Sequence, residues 1–380
     1  MPCAKRRFLA CFVFLAFCAS LAAADKTPPP PKEMPKSVAG PKDKEKPSPA
    51  ATPKEILIMS VHLGKHWLLS RMLPDGTCKE FLNQTQGFST TVPTNNQGDD
   101  FDPATSINGK HLAFYSNRSG AVNLWLADPS GRFQKNITQE DTSVAEIGEL
   151  PDTPIQFSLD SKKLIFLNHG NLWIFNLKSE ELSSLSSEGG IEAFALSPDG
   201  KWIAYYRKGS LRRVACSGQP DELLATNAAN CPTLAFGLDP KKNELFYFYK
   251  GLWSINTFTK EKNFLVGSLK YPNRIRINPQ SGDAVSFIGL SPDLRAEAYL
   301  LFPNKKGSGS SRFTTTLLTQ GGASNPFFSA DGKTLYFQRA ERLWSISTTG
   351  DKVRQLQALA CLMPSLGFLD PTSLPECAKP

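Results

Sequence analysis

The chain has 380 residues and a formal net charge of +8, from 43 Lys and Arg against 35 Asp and Glu. That excess is mild and no basic run concentrates it, so a nucleic-acid partner is not expected. Hydrophobic residues make up 40% of the chain, yet none after Ala24 gather into a run that would cross a membrane.

Residues 1–24 read as a targeting leader. Lys5, Arg6 and Arg7 form the basic start, Phe8 to Phe17 the apolar run, and Ala22–Ala24 a small-residue cleavage site before Asp25. Lipidation at Cys18 is the alternative, but Phe17 is bulky for the residue preceding a lipidated cysteine. Residues 25–54 read as a disordered linker. Nine prolines, no aromatics and mixed charges cannot bury a core. The linker is either a spacer or an arm that adds to a partner.

From residue 55 to 371 one plan repeats, and it predicts an all-β domain. Ile56 to Leu82 supplies three strands with nothing before them. A turn then recurs as SING (Ser106–Gly109), SLDS (Ser158–Ser161), SPDG (Ser197–Gly200), LDPK (Leu238–Lys241), NPQSG (Asn278–Gly282) and SADG (Ser329–Gly332). Each of its residues has a physical reason: Pro fixes φ, Asp or Asn bonds nearby backbone, and Gly accepts positive φ. An apolar strand follows every turn, as in KWIAYY, where Trp202, Ala204 and Tyr206 alternate with Ile203 and Tyr205. The third strand carries an aromatic at one place: Trp67, Trp125, Trp173, Trp253 and Trp344, with Arg212 and Tyr299 in the other two copies. A fourth, more polar strand ends each unit.

Four short strands in a period of about forty residues mark a β-propeller blade. Met363 to Pro371 (MPSLGFLDP) is a first strand with nothing after it and parallels CPTLAFGLDP at Cys231–Pro240. It should complete the N-terminal blade and close the ring, leaving no exposed end. The expected fold is a seven-bladed propeller, with residues 372–380 as an irregular tail.

Catalytic signatures are sparse. His62 and His66 have an i, i+4 spacing that serves metals on helices, but this stretch is not helical. GSGSS at Gly307–Ser311 is a loop, not a nucleophile elbow. No phosphate-binding loop is present. In GDDFDP (Gly98–Pro103), Asp99, Asp100 and Asp102 would suit Ca²⁺ or cap a loop leading into a first strand, and the loop is the reading adopted. No metal, cofactor or catalytic residue is expected.

The best candidate surface is geometric. Loops joining second to third strands share one end of the ring with those joining blades. They carry Lys65, His66, Asn117, Arg118, Asn168, His169, Arg207, Lys208, Lys250, Arg295 and Arg339. Either these are ordinary solvated turns, or they form a basic and polar ring that attracts an acidic protein, peptide or glycan. Asp99, Asp100, Glu140, Asp141, Glu146 and Glu149 in neighbouring loops would make the surface two-signed.

Beyond the leader the cysteines are Cys78, Cys216, Cys231, Cys361 and Cys377, an odd number, so one lacks an intrachain partner. Blade geometry favours Cys78–Cys377 as a latch on the closing blade. The alternative is that all five are reduced and packed.

The repeated LSPDGKWIAYY, FFSADGKTLYF and DDFDPATSINGKHLAFYSNRSGAVNLWLADPSGR resemble the TolB-like (WD40-like) propeller repeat, over about 300 residues. That repeat also occurs in propellers of prolyl-oligopeptidase-like enzymes, and a split first blade is another TolB feature. TolB has six blades, which is the alternative count, and a small α/β domain where this chain has its linker. The resemblance implies a non-enzymatic, periplasmic protein-binding module supporting the cell envelope. Its implied partners are a peptidoglycan-associated lipoprotein or a Tol-system inner-membrane protein. A carbohydrate or small-ligand receptor using the channel, and a degenerate propeller enzyme, are the alternatives.

Overall fold

The computed structural model describes residues 54–63, 66–82, 98–132, 134–138, 155–226, 233–267, 272–282, 284–304, 313–357 and 359–369. The leader, nearly all of the linker, and the tail lie outside them, as do Lys65, Cys231, Cys377, Glu140, Asp141, Glu146 and Glu149. The strands belong to the unit Ala50–Pro380.

Seven four-stranded antiparallel sheets form the seven expected blades. In blade 1 the inner strand is Cys361–Leu369, followed outward by Lys54–Leu63, His66–Met72 and Glu80–Phe81. The last strand of the ring therefore lies beside the first, with Lys54 opposite Leu369 and Val61 opposite Cys361. The first strand begins at Lys54, one residue inside the segment read as linker. The other inner strands are Asp100–Thr105, Ile155–Phe157, Ile191–Leu196, Leu234–Phe236, Asn273–Ile277 and Ser324–Phe328, for blades 2 to 7.

Alternation along each strand sends side chains to both faces of a blade, and each face meets a different neighbour. Ile203 and Tyr205 pack with Ile165 and Leu167 of blade 3. Ala204 and Tyr206, one step along, pack with Leu245 and Tyr247 of blade 5. Seven such clusters of described residues join the seven blade pairs. Burying one Leu or Phe contributes about 2 kcal/mol, so every interface is a core in itself. The cluster of Leu57, Met59 and Val61 with Phe327, Tyr336 and Leu343 closes the circle between blades 7 and 1.

The third-strand positions align in register. Trp67 faces His62, Trp125 faces Phe114, Trp173 faces Phe166 and Trp253 faces Tyr247. Trp344 faces Phe337, while Arg212 and Tyr299 take the same place opposite Tyr205 and Phe287.

One end of the ring, the turn end, is made by the recurring turns. Ser197 Oγ donates to Asp199 Oδ1 (2.6 Å) and accepts from the Trp202 amide (2.9 Å), while the Lys201 amide donates to the same carboxylate (3.1 Å). Gly200, at φ 68°, takes the left-handed position that a side chain disfavours. The Ser–Asp bond repeats at Ser158–Asp160 and Ser329–Asp331, both 2.6 Å. These hydroxyls are the leading reason the Asp160 and Asp331 carboxyls titrate below the ordinary range.

Cys78 is disulfide-bonded, and Cys216 and Cys361 are free thiols, so neither is its partner. The expected partner Cys377 is outside the described residues. Burial pushes the Cys216 thiol up to about 11 and Cys361 up to about 12, which keeps both unreactive.

Candidate functional site

The opposite, loop end carries the second-to-third-strand turns. These are tight hairpins that need positive φ. His169, Lys208 and Lys250 occupy left-handed positions (φ 49°, 46° and 51°), each followed by a glycine. All three are exposed, on the consecutive blades 3, 4 and 5.

The arginines at this end behave differently. Arg118 turns inward to the fully buried Asp100 and to Gln134. Its guanidinium lies 5.1 Å from the Phe114 ring and 5.2 Å from Trp125. Arg339 repeats the posture over Phe337 and Trp344 (5.2 and 5.1 Å) and donates to the Gly322 and Gln320 carbonyls (3.0 and 2.8 Å). Arg207 is 14% exposed and holds Glu188 at 3.0 Å. Arg295 is exposed and pairs with Asp293 at 3.3 Å. Asn117 accepts the Asp99 amide on its side chain (2.6 Å), and His66 Nδ1 stands 3.6 Å from the Asp99 carboxylate. Among the described residues four members of the expected ring are thus exposed, His169, Lys208, Lys250 and Arg295, the last paired with Asp293, while Arg118, Arg207 and Arg339 hold loops and strands together. Lys65 is not among the described residues.

The three carboxylates of GDDFDP go separate ways. Asp99 accepts the Trp67 amide at 2.9 Å, Asp100 binds Arg118, and Asp102 sits in the inner strand. Among the described residues no three His, Cys, Asp or Glu gather as a metal-binding group. The histidines are dispersed as well. His62 packs on Trp67 (4.9 Å between rings), and His111 is half-buried in a turn-end loop, with its pKa lowered by burial and then by Lys110.

A second place with chemical potential is the channel. Inner strands of all seven blades line a cavity of about 380 Å³ that reaches the turn end. Its lining is mixed. Blades 3 to 5 contribute Ile155, Phe157, Leu196 and Phe236 with the polar Gln156 and Ser197, and Leu159, Pro198 and Leu238 at the rim. Blades 6, 7 and 2 contribute Arg274, Arg276, Asn325, Asp102 and Thr105 together with the apolar Pro103, Ala104, Pro326 and Phe327. In blades 6, 7 and 2 the inner strands are bulged, with register shifts at Asn273/Arg276, Ser324/Phe327 and Phe101/Ala104. At each bulge one residue is left-handed: Arg274 (φ 59°), Asn325 (φ 47°) and Asp102 (φ 51°). Asn and Asp tolerate that conformation, whereas for Arg274 it costs about 1–2 kcal/mol.

The channel was expected from the sequence as an alternative binding place, but its lining was not. Its one sequence signal is a dipeptide at a fixed place in the inner strand: Asp102–Pro103, Asn325–Pro326 and Met363–Pro364. Proline has no N–H for the ladder, so within a strand it marks an edge or a bulge.

Searches against known protein families and against curated sequences find no match. Solved structures do match. TolB from Acinetobacter baumannii aligns at 14% identity and a TM-score of 0.50, covering 82% of this chain and 66% of TolB. The match thus spans just under two thirds of that protein. Oligogalacturonate lyase from Vibrio parahaemolyticus aligns at 11% identity and 0.53, covering 80% of this chain and 85% of the lyase. A putative 6-phosphogluconolactonase from Bacteroides fragilis aligns at 11% and 0.53, covering 86% of this chain and all of that one. At such identities the likeness is one of architecture alone, a β-propeller shared with TolB, the lyase and the putative lactonase.

Proposed function

We propose that the chain is a non-enzymatic, periplasmic binding propeller that docks an acidic envelope protein, such as a peptidoglycan-associated lipoprotein or a Tol-system inner-membrane protein, on its loop end. The observation that carries this reading is the set of exposed His169, Lys208 and Lys250 on the hairpin tips of three adjacent blades. Lysines held on short hairpins lose little freedom when a partner binds, and complementary charge speeds encounter. TolB among the structural neighbours agrees with the reading. A channel receptor is the second reading, favoured by the cavity, and a degenerate propeller enzyme is the third, raised by the lyase and lactonase neighbours.

The test is calorimetric titration of residues 25–380 with the periplasmic domain of the same organism's peptidoglycan-associated lipoprotein. Saturable binding is expected, at micromolar affinity or tighter, and its loss in a Lys208→Asp/Lys250→Asp variant of unchanged melting temperature. Aspartate tolerates the left-handed tips, so the change reverses charge with little strain. Absence of binding by calorimetry and by a second method defeats the reading. Stoichiometric metal in the purified protein would move the argument to the enzyme.

A further inference from the structure

The outer strand of each blade is an edge, and among the described strands the seven edges are not alike. In blades 1, 2 and 3 they are two or three residues long: Glu80–Phe81, Lys135–Asn136 and Leu182–Ser184. In blades 4, 5 and 7 they are longer, but each is bulged against its neighbour. Each also carries charge, at Asp221 and Glu222, at Lys262 and at Arg354. Shortness, bulges and charge all keep foreign strands off an edge. The outer strand of blade 6, Phe313–Leu317, has none of them. It has five residues, three of them threonine and none charged, and it pairs with Ala296–Pro303 without a register shift. Thr314 to Leu317 are all exposed. The Leu318 amide donates to the Ala298 carbonyl (2.9 Å). By alternation Thr314 and Thr316 bond inward, and the N–H and C=O groups of Thr315 and Leu317 point away from the sheet.

The groove beside this edge adds a preference. Phe313 packs into the cluster between blades 5 and 6, so Thr315 and Leu317 share its face toward blade 5. A cavity of about 310 Å³ between these blades is lined by Phe313 and by Glu244 and Glu261 of blade 5. One cation, Lys242, also lines it and its other residues are neutral, so negative charge is in excess. Neither glutamate side chain is ion-paired among the described residues.

We infer that the outer edge of blade 6 takes up an extended segment of another protein as a fifth, antiparallel strand. Backbone groups of the segment bond to those of Thr315 and Leu317. An apolar side chain opposite Leu317, which is 39% exposed, covers that residue. An arginine or lysine four places further on stands opposite Phe313 and reaches the Glu244 and Glu261 carboxylates. Main-chain bonds supply the affinity, and the cavity selects the sequence. A second copy of this chain fits less well. Five paired residues bury far less than the roughly 1,200 Å² of a stable interface, and Phe313–Leu317 brings no cation to the glutamates. The edge lies on the circumference of the ring, away from the His169, Lys208 and Lys250 tips, so it stands or falls independently of the envelope partner.

The experiment titrates residues 25–380 with the peptide acetyl-Ser-Val-Thr-Val-Thr-Arg-Ser-amide, by calorimetry and by fluorescence anisotropy of a labelled copy. Saturable binding is expected. N-methylation of the second valine, whose amide faces Thr315, should weaken it tenfold or more. Glutamine in place of the peptide arginine should weaken it severalfold, and Glu244→Gln/Glu261→Gln in the protein should bring the two peptides level. Thr315→Pro removes the outward N–H and leaves the ladder to Ala296–Pro303 in place, so binding should be lost at an unchanged melting temperature. The Lys208→Asp/Lys250→Asp variant should bind the peptide as the wild type does. Failure to saturate, binding that survives both Thr315→Pro and N-methylation, or equal affinity of the arginine and glutamine peptides would each overturn the inference. So would loss of binding in Lys208→Asp/Lys250→Asp, or a wild-type dimer in sedimentation that Thr315→Pro dissociates, which would give the edge to a second copy.

Discussion

The two ends of the ring make opposite use of their polar residues. At the turn end, short side chains bond to their own turn: Ser197 to Asp199, Ser158 to Asp160, Ser329 to Asp331. The bonds span two residues and recur from blade to blade. At the loop end, long side chains reach far from their origin. Arg118 crosses to Asp100 and Gln134, and Arg339 to the carbonyls of Gln320 and Gly322. A charged loop residue is thus a surface feature only after its reach has been accounted for. Lysine tips stay outside because the ammonium is strongly hydrated, whereas the guanidinium groups of Arg118 and Arg339 sit over Phe and Trp rings.

The contrast breaks most visibly at Arg118. Its replacement by Ala leaves Asp100 charged and fully buried, which should cost about 3 kcal/mol and lower the urea midpoint accordingly. A midpoint within error of wild type would mean that Arg118 belongs to the surface after all. At the turn end, Ser197→Ala removes a local bond and should cost about 1 kcal/mol, with the slope of unfolding against urea unchanged. The smallest effect is a matter of pH. Glu55, on the second strand of blade 1, accepts the Ala330 amide of blade 7 at 3.0 Å. Its pKa is raised above 4.5, first by burial, and Asp331 pushes in the same direction. The folded state therefore holds its proton more tightly than the unfolded one. The corresponding stability is complete below pH 4.5 and is lost as pH rises through the higher folded value. Glu55→Gln should then be more stable than wild type at pH 7 by under about 1 kcal/mol, with the gain gone near pH 4. Parallel stability curves from pH 4 to 7 would contradict this.

The fold was legible because its determinants are local. Each SxDG-type turn fixes a hairpin, and a hairpin fixes the register that puts Trp125, Trp173 and Trp344 opposite a phenylalanine. Even the two irregular copies, Arg212 and Tyr299, stand where the spacing placed them. The site was less legible. Nothing in the sequence says that Arg118 and Arg339 fold back onto Trp125 and Trp344, while Lys250 stays exposed over its neighbour Tyr249. The channel lining was hidden for a different reason. A bulge rotates residues between faces, and alternation counted from the turn then assigns Arg274 and Asn325 to the wrong side. Asp102–Pro103 and Asn325–Pro326 carry the trace of that irregularity, but one dipeptide cannot give the direction in which a strand bends.

The closing strand also has a meaning in time. The strand Lys54–Leu63 is among the first of the ring to be made, and its inner neighbour, Cys361–Leu369, is the last. Until that final strand arrives, Leu57, Met59 and Val61 have no complete sheet, and the apolar faces of blades 7 and 1 remain apart. Contacts so distant along the chain form slowly, and an unfinished ring exposes a sticky edge at each side of its gap. Maturation should therefore end in a single late step, and a chain stalled before Cys361 should behave as a client for chaperones rather than as a smaller propeller.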